Sequence, residues 1–151
     1  NEIAARIGRG KYADDEALAA AFRNAFYDGK RKLFIDRAGS SHVSLPGNSY
    51  AMAFRLEPPS ERAECKAEFL KLIRAKRFTS ISLFQFFPIL SWLKSNGEHG
   101  LADELILSPD AWLRNLREGG TRTFEGWGKE TKWNTSLFHL TTASVAWFLC
   151  E

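Results

Sequence analysis

Apolar residues recur at helical spacing along most of the chain. Leu18, Phe22 and Phe26 stand four apart behind the acidic run Asp14-Asp15-Glu16, which suits the positive end of a helix dipole, and they predict a helix over residues 14–26. Tyr27-Asp28-Gly29 stops it. Residues 32–36 read as a short extended segment, and residues 37–47, with Gly, Ser and Pro, as a long loop of the kind that often carries function. A second, apolar helix is predicted over residues 49–56, ended by Pro58-Pro59. Ser60 then caps a third through residue 76, with Cys65, Phe69, Leu72 and Ile73 on its apolar side. Residues 80–94 are apolar almost all round, which predicts a helix buried on most faces, kinked at Pro88 and stopped by Asn96-Gly97. A fifth helix follows over residues 99–107. Ser108-Pro109 caps a sixth over residues 110–117, closed by Gly119-Gly120. Residues 119–135 show no period, and residues 136–150 resume a helical pattern through Leu137, Leu140, Val145 and Phe148.

This gives about seven helices and no sheet. The fold class expected is all-α: antiparallel helical hairpins packed in layers, either a bundle or part of an α/α toroid. No internal repeat of fixed period accompanies it.

Composition narrows the class. A length of 151 residues suits one domain, and 44% hydrophobic with 13% aromatic content excludes a disordered or low-complexity chain. The longest apolar stretch, residues 81–93, is broken by Ser82, Gln85, Pro88 and Ser91 and falls short of the roughly 20 residues a bilayer span needs, so no membrane span is expected. A net charge of +3, scattered except at Lys30-Arg31-Lys32, gives no reason to expect a nucleic-acid partner. Cys65 and Cys150 make no disulfide framework and read as free thiols. The start at Asn1 and the apolar pattern running to the last residues suggest a piece of a larger protein.

The aperiodic stretch holds the candidate chemistry. Glu125 stands between Phe124 and Trp127, whose apolar walls are expected to raise its pKa and whose faces suit the stacking of a pyranose ring. An acid or base acting on a sugar is one reading; a turn carboxylate that caps a helix or pairs with Arg122 is the other. His139, about one turn into the last predicted helix, could donate to a substrate hydroxyl or tune Glu125, or be a solvated structural residue. His42 in the long loop has the same standing, and His99 reads as a solvated helix start. No His, Cys or carboxylate pair has metal-ligand spacing, and neither a Gly-x-Ser-x-Gly elbow nor a phosphate-binding glycine loop occurs, so neither a metal nor a cofactor is expected.

Residues Trp112-Leu113, then Glu118-Gly119-Gly120-Thr121-Arg122-Thr123-Phe124-Glu125-Gly126-Trp127, then Ser136-Leu137-Phe138-His139 resemble a stretch near the end of the catalytic domain of bacterial α-L-rhamnosidases. That family reads Trp-Leu, a few residues, Gly-Ala-Thr-Thr-x-Trp-Glu-x-Trp, and later Ser-x-x-His. Upstream, Phe26-Tyr27-Asp28, Leu33-Phe34-Ile35-Asp36, His42-Val43-Ser44 through Asn48-Ser49-Tyr50-Ala51, and Leu56-Glu57-Pro58 are similar to its pattern in the same order. Phe124 replaces the usual Trp, Gly120 the usual Ala and Arg122 the second Thr.

The resemblance implies a partial (α/α)6 toroid, the six-hairpin glycosidase architecture, and inverting hydrolysis of terminal α-L-rhamnosides by two carboxyl groups. It makes Glu125 the general base, His139 a sugar-contacting residue, and Trp127 and Phe124 the walls of the sugar subsite. The family's general acid lies in an Asp-rich motif upstream, and nothing in residues 1–25 resembles it. The expectation is therefore a single element, residues 1–151, forming the C-terminal half of a catalytic domain, silent alone and able to self-associate through an exposed half-core. Two alternatives remain at this level: a non-catalytic helical module that binds carbohydrate or protein, and a six-hairpin glycosidase with another sugar specificity.

Overall fold

The computed structural model describes residues 1–76 and 81–149 and divides into two compact units, residues 1–71 and 72–151. The order of regular elements is α1 (Glu2–Arg6), α2 (Asp15–Phe26), β1 (Tyr27–Asp28), β2 (Leu33–Phe34), α3 (Leu45–Ala53), α4 (Arg62–Ala75), α5 (Phe86–Ser95), α6 (His99–Ile106), α7 (Trp112–Arg117) and α8 (Val145–Leu149). The fold is all-α, as the periodicity predicts, with one small departure: β1 and β2 pair antiparallel with Tyr27 opposite Phe34, where no sheet is expected. The ends of Asp28 make this possible, since its carboxylate accepts the Lys30 and Arg31 N–H groups and turns the chain back. Among the described residues no helix is long and apolar enough to cross a membrane, and no three His, Cys, Asp or Glu side chains cluster as metal ligands would.

In the first unit the Asp14 carboxylate accepts the N–H groups of Glu16 and Ala17, so α2 starts where its acidic run predicts. Its apolar stripe is only partly covered: Phe22 packs on Phe26 and Phe34 at ring distances of 4.9 and 5.5 Å, while Leu18 is exposed. The second predicted helix begins four residues early, at Leu45, because the Ser44 hydroxyl accepts the Gly47 N–H and Pro46 sits in the first turn, where its missing donor is not needed. Buried Asn48 fastens α3 to β2. Its Oδ1 accepts the Phe34 N–H at 2.8 Å, and its Nδ2 donates to the Phe34 and Ser44 carbonyls at 2.9 Å. Ser60 is no cap; it lies inside the short turn Pro59–Glu61 that precedes α4.

In the second unit the start of the fourth predicted helix, Ser80, lies outside the described residues. A turn at Leu83–Gln85 capped by Ser82 leads into α5, and Pro88 falls in the first turn of α5, so it needs no kink. Helix α5 ends at Asn96-Gly97 as expected: Gly97 has φ +76°, and the Gly97 and Glu98 N–H groups reach back to the Lys94 and Leu93 carbonyls. The reversal makes α5 and α6 an antiparallel hairpin, with Ile89, Leu90, Leu93, Ala102 and Ile106 buried. Helix α7 starts two residues later than Pro109 suggests, at Trp112, because residues 108–111 form a turn first, with the Ala111 N–H on the Ser108 carbonyl. The last predicted helix is largely replaced by a tighter turn, Leu140–Ser144, before the short α8, and Cys150 lies outside the described residues.

Candidate active site

The segment after α7 is set by its glycines. Gly119 has φ +78°, and the Gly119 and Gly120 N–H groups bond to the Leu116 and Asn115 carbonyls, which ends the helix and turns the chain outward. Residues 123–125 then run beside residues 136–139. The His139 N–H donates to the Thr123 carbonyl and the Glu125 N–H to the Ser136 carbonyl, each at 2.9 Å. Burial alternates along these residues: Phe124 lies in the core while Thr123 and Glu125 remain half-exposed. The buried Thr142 hydroxyl ties the two runs together from below, 2.8 Å from the Phe124 carbonyl and 2.7 Å from that of His139.

Glu125 is held at both oxygens. Lys132 Nζ lies 2.6 Å from Oε1, and the Ser136 backbone N–H donates to Oε2 at 3.1 Å. The Lys132 hydrogen bond, then that of Ser136, hold the carboxyl below the usual carboxylate range against a smaller opposing effect of burial; the charge of Lys132 and the nearby His139 add to the lowering. This corrects the expectation of a raised pKa. The aromatic neighbours that were to desolvate Glu125 are turned away from it.

Phe124 is 2% exposed and Trp127 8%. Trp127 stands edge-on to Phe86 and Trp112 at 5.6 and 5.0 Å, and its indole N–H donates to the Ile81 carbonyl at 2.7 Å. Both rings are core residues whose faces are already covered. Arg122 does not pair with Glu125; its guanidinium lies 4.9 Å over the Phe138 ring. His139 is not inside a helix but in extended backbone just before the Leu140–Ser144 turn, with its ring edge-on to Phe84 at 5.3 Å. The structure thus brings Glu125 and His139 onto one pair of hydrogen-bonded loop runs and buries Phe124 and Trp127.

Sequence reasoning missed Lys132, the Ser136 N–H and Thr142. Lys132 is seven residues from Glu125 with only the short 3₁₀ turn Lys129–Thr131 between them, too brief to give a period, so only the folded loop reveals the pair. Of the other histidines, His42 bonds through Nδ1 to Asp36 in the first unit, and His99 begins α6.

Glu125 thus lies on a loop between helices of an all-α scaffold, paired with Lys132. Residues 2–151 match the profile of the bacterial alpha-L-rhamnosidase 6 hairpin glycosidase domain, and the chain belongs to that family. No curated protein and no solved structure gives a significant match. A carbohydrate substrate follows from the family.

Proposed function

We propose that this chain is the C-terminal half of an (α/α)6 catalytic domain that hydrolyses terminal α-L-rhamnosides with inversion, and that Glu125 is its general base. The observation that carries the reading is the state of Glu125: paired with Lys132 and the Ser136 N–H, it is ionised at neutral pH. An ionised carboxylate can take a proton from water but has none to give to a leaving group. It therefore suits the base of an inverting pair, whose acid is the carboxyl kept protonated.

Water deprotonated by Glu125 attacks the anomeric carbon from the face opposite the leaving oxygen. The acid that protonates that oxygen stands about 6.5 to 9.5 Å from the base. No match to the family's acid motif occurs in residues 1–25, so the acid belongs to an upstream segment and residues 1–151 alone are silent. His139 contacts a sugar hydroxyl. Phe124 and Trp127, assigned as subsite walls by resemblance, act from inside the core by fixing the backbone on either side of Glu125. The exposed Leu140, Trp147 and Leu149 are apolar surface for the remainder of the domain or a second copy to cover.

The test is Glu125→Gln in the full-length protein that carries these residues. Turnover of an aryl α-L-rhamnoside should fall at least about 100-fold, as for loss of a general base. Near-wild-type turnover sinks the assignment of the base, and first release of the α-anomer by the unmodified protein sinks inversion.

A further inference from the structure

The aromatic residues that flank Glu125 in sequence are unavailable to a sugar, yet one aromatic beside it in space is free. Trp133 is 96% exposed, and its indole has no ring or hydrogen-bond partner among the described residues. It follows Lys132 directly, and Lys132 is tied to Glu125. The length of a lysine side chain, the 2.6 Å ion pair and one Cα step together put the Trp133 Cα within roughly 13 Å of the Glu125 carboxylate. A pyranose next to the reacting ring fits in that reach.

The turn that carries Trp133 is built rather than loose. The Thr135 hydroxyl accepts the Lys132 N–H at 3.0 Å and donates to the Lys132 carbonyl at 2.8 Å, and the Thr135 N–H bonds to the same carbonyl. Its surroundings also choose the class of ligand. Lys129, Glu130, Lys132 and Asn134 are all exposed, so Trp133 has polar neighbours along its own turn. A sugar ring, apolar on one face and rimmed with hydroxyls, matches an indole among polar groups.

We propose that Trp133 is a stacking platform for the substrate, holding a pyranose ring beside Glu125. This rests on the reading of Glu125 as the base, and two variants separate the claims. In the full-length protein, Trp133→Ala should raise KM for a rhamnoside about 5- to 10-fold with the loss falling in KM and not in kcat, and Trp133→Phe should recover most of it. In the full-length protein, the indole N–H resonance of Trp133, identified by its loss in Trp133→Phe, should shift on titration with methyl α-L-rhamnoside. An unchanged KM in Trp133→Ala, or an indole resonance that stays fixed while backbone signals around Glu125 move, overturns the platform. Unimpaired turnover in Glu125→Gln overturns the base and leaves the KM of Trp133→Ala to decide the platform.

Discussion

Lys132 Nζ sits 2.6 Å from Glu125 Oε1, joining the base to the far side of the loop that follows it. The ammonium favours the ionised carboxylate, so its removal should let the Glu125 pKa rise toward the ordinary value of about 4.3. In the full-length protein, Lys132→Met should move the acid limb of the kcat/KM profile to higher pH, because that limb reports the base of the free enzyme. A pH profile of the variant that overlays the wild type would show that Lys132 does not set the ionisation of Glu125.

Gly120 stands where the family carries Ala, and here a Cβ would lie 2.7 Å from both the Asn115 carbonyl oxygen and the Phe124 ring. The carbonyl belongs to the end of α7 and cannot yield without opening the helix terminus. Gly120→Ala should cost about 1 to 3 kcal/mol, typical of overpacking in a filled core. Thermal unfolding should show it as a melting temperature lower by roughly 2 to 10 °C.

The Thr142 hydroxyl serves two carbonyls below the Glu125 segment, Phe124 and His139. Thr142→Val keeps the shape and removes the donor, leaving the buried Phe124 carbonyl short of a partner at about 1 to 3 kcal/mol, while the His139 carbonyl keeps the Thr123 hydroxyl and the Thr142 N–H. Thr142→Ser should restore most of the stability. Equal melting temperatures for the valine variant and wild type would contradict the structural role given to this hydroxyl.

Asp36 gathers the loop before α3. Burial alone would raise its pKa, but hydrogen bonds from Ser44, through both its hydroxyl and its N–H, and from His42 outweigh that and hold it below the usual range. A carboxyl lowered on folding stabilises the fold above its unfolded pKa, near 3.9, and loses that contribution as pH falls through the folded value. Asp36→Asn should therefore lower stability at neutral pH and narrow its gap to wild type in strongly acidic solution, as measured by urea midpoints across pH.

What the sequence discloses is what local chemistry decides. Asp14 caps α2 and Gly97 ends α5 because the groups that satisfy each helix end lie within a few residues. The start of α3 was legible in Ser44-Leu45-Pro46 and was outweighed by the apolar run after Ser49. Glu125 stood out as a carboxylate between aromatics, but its electrostatics did not follow from those neighbours. The pairing of residues 123–125 with residues 136–139 leaves Phe124 buried and Glu125 half-exposed, and the partners that fix the charge come from residues 132 and 136.

That alternation makes the loop sensitive to its length. Phe124 is buried and Glu125 half-exposed within the same few residues, so a deletion between Gly120 and Phe124 that turns the ring toward water drives the carboxylate into the space beside Gly120 that the ring fills. A lone charge there is costly enough to unseat the pairing with residues 136–139. Natural or engineered changes of length in this loop should accordingly survive only where Phe124 keeps its place in the core.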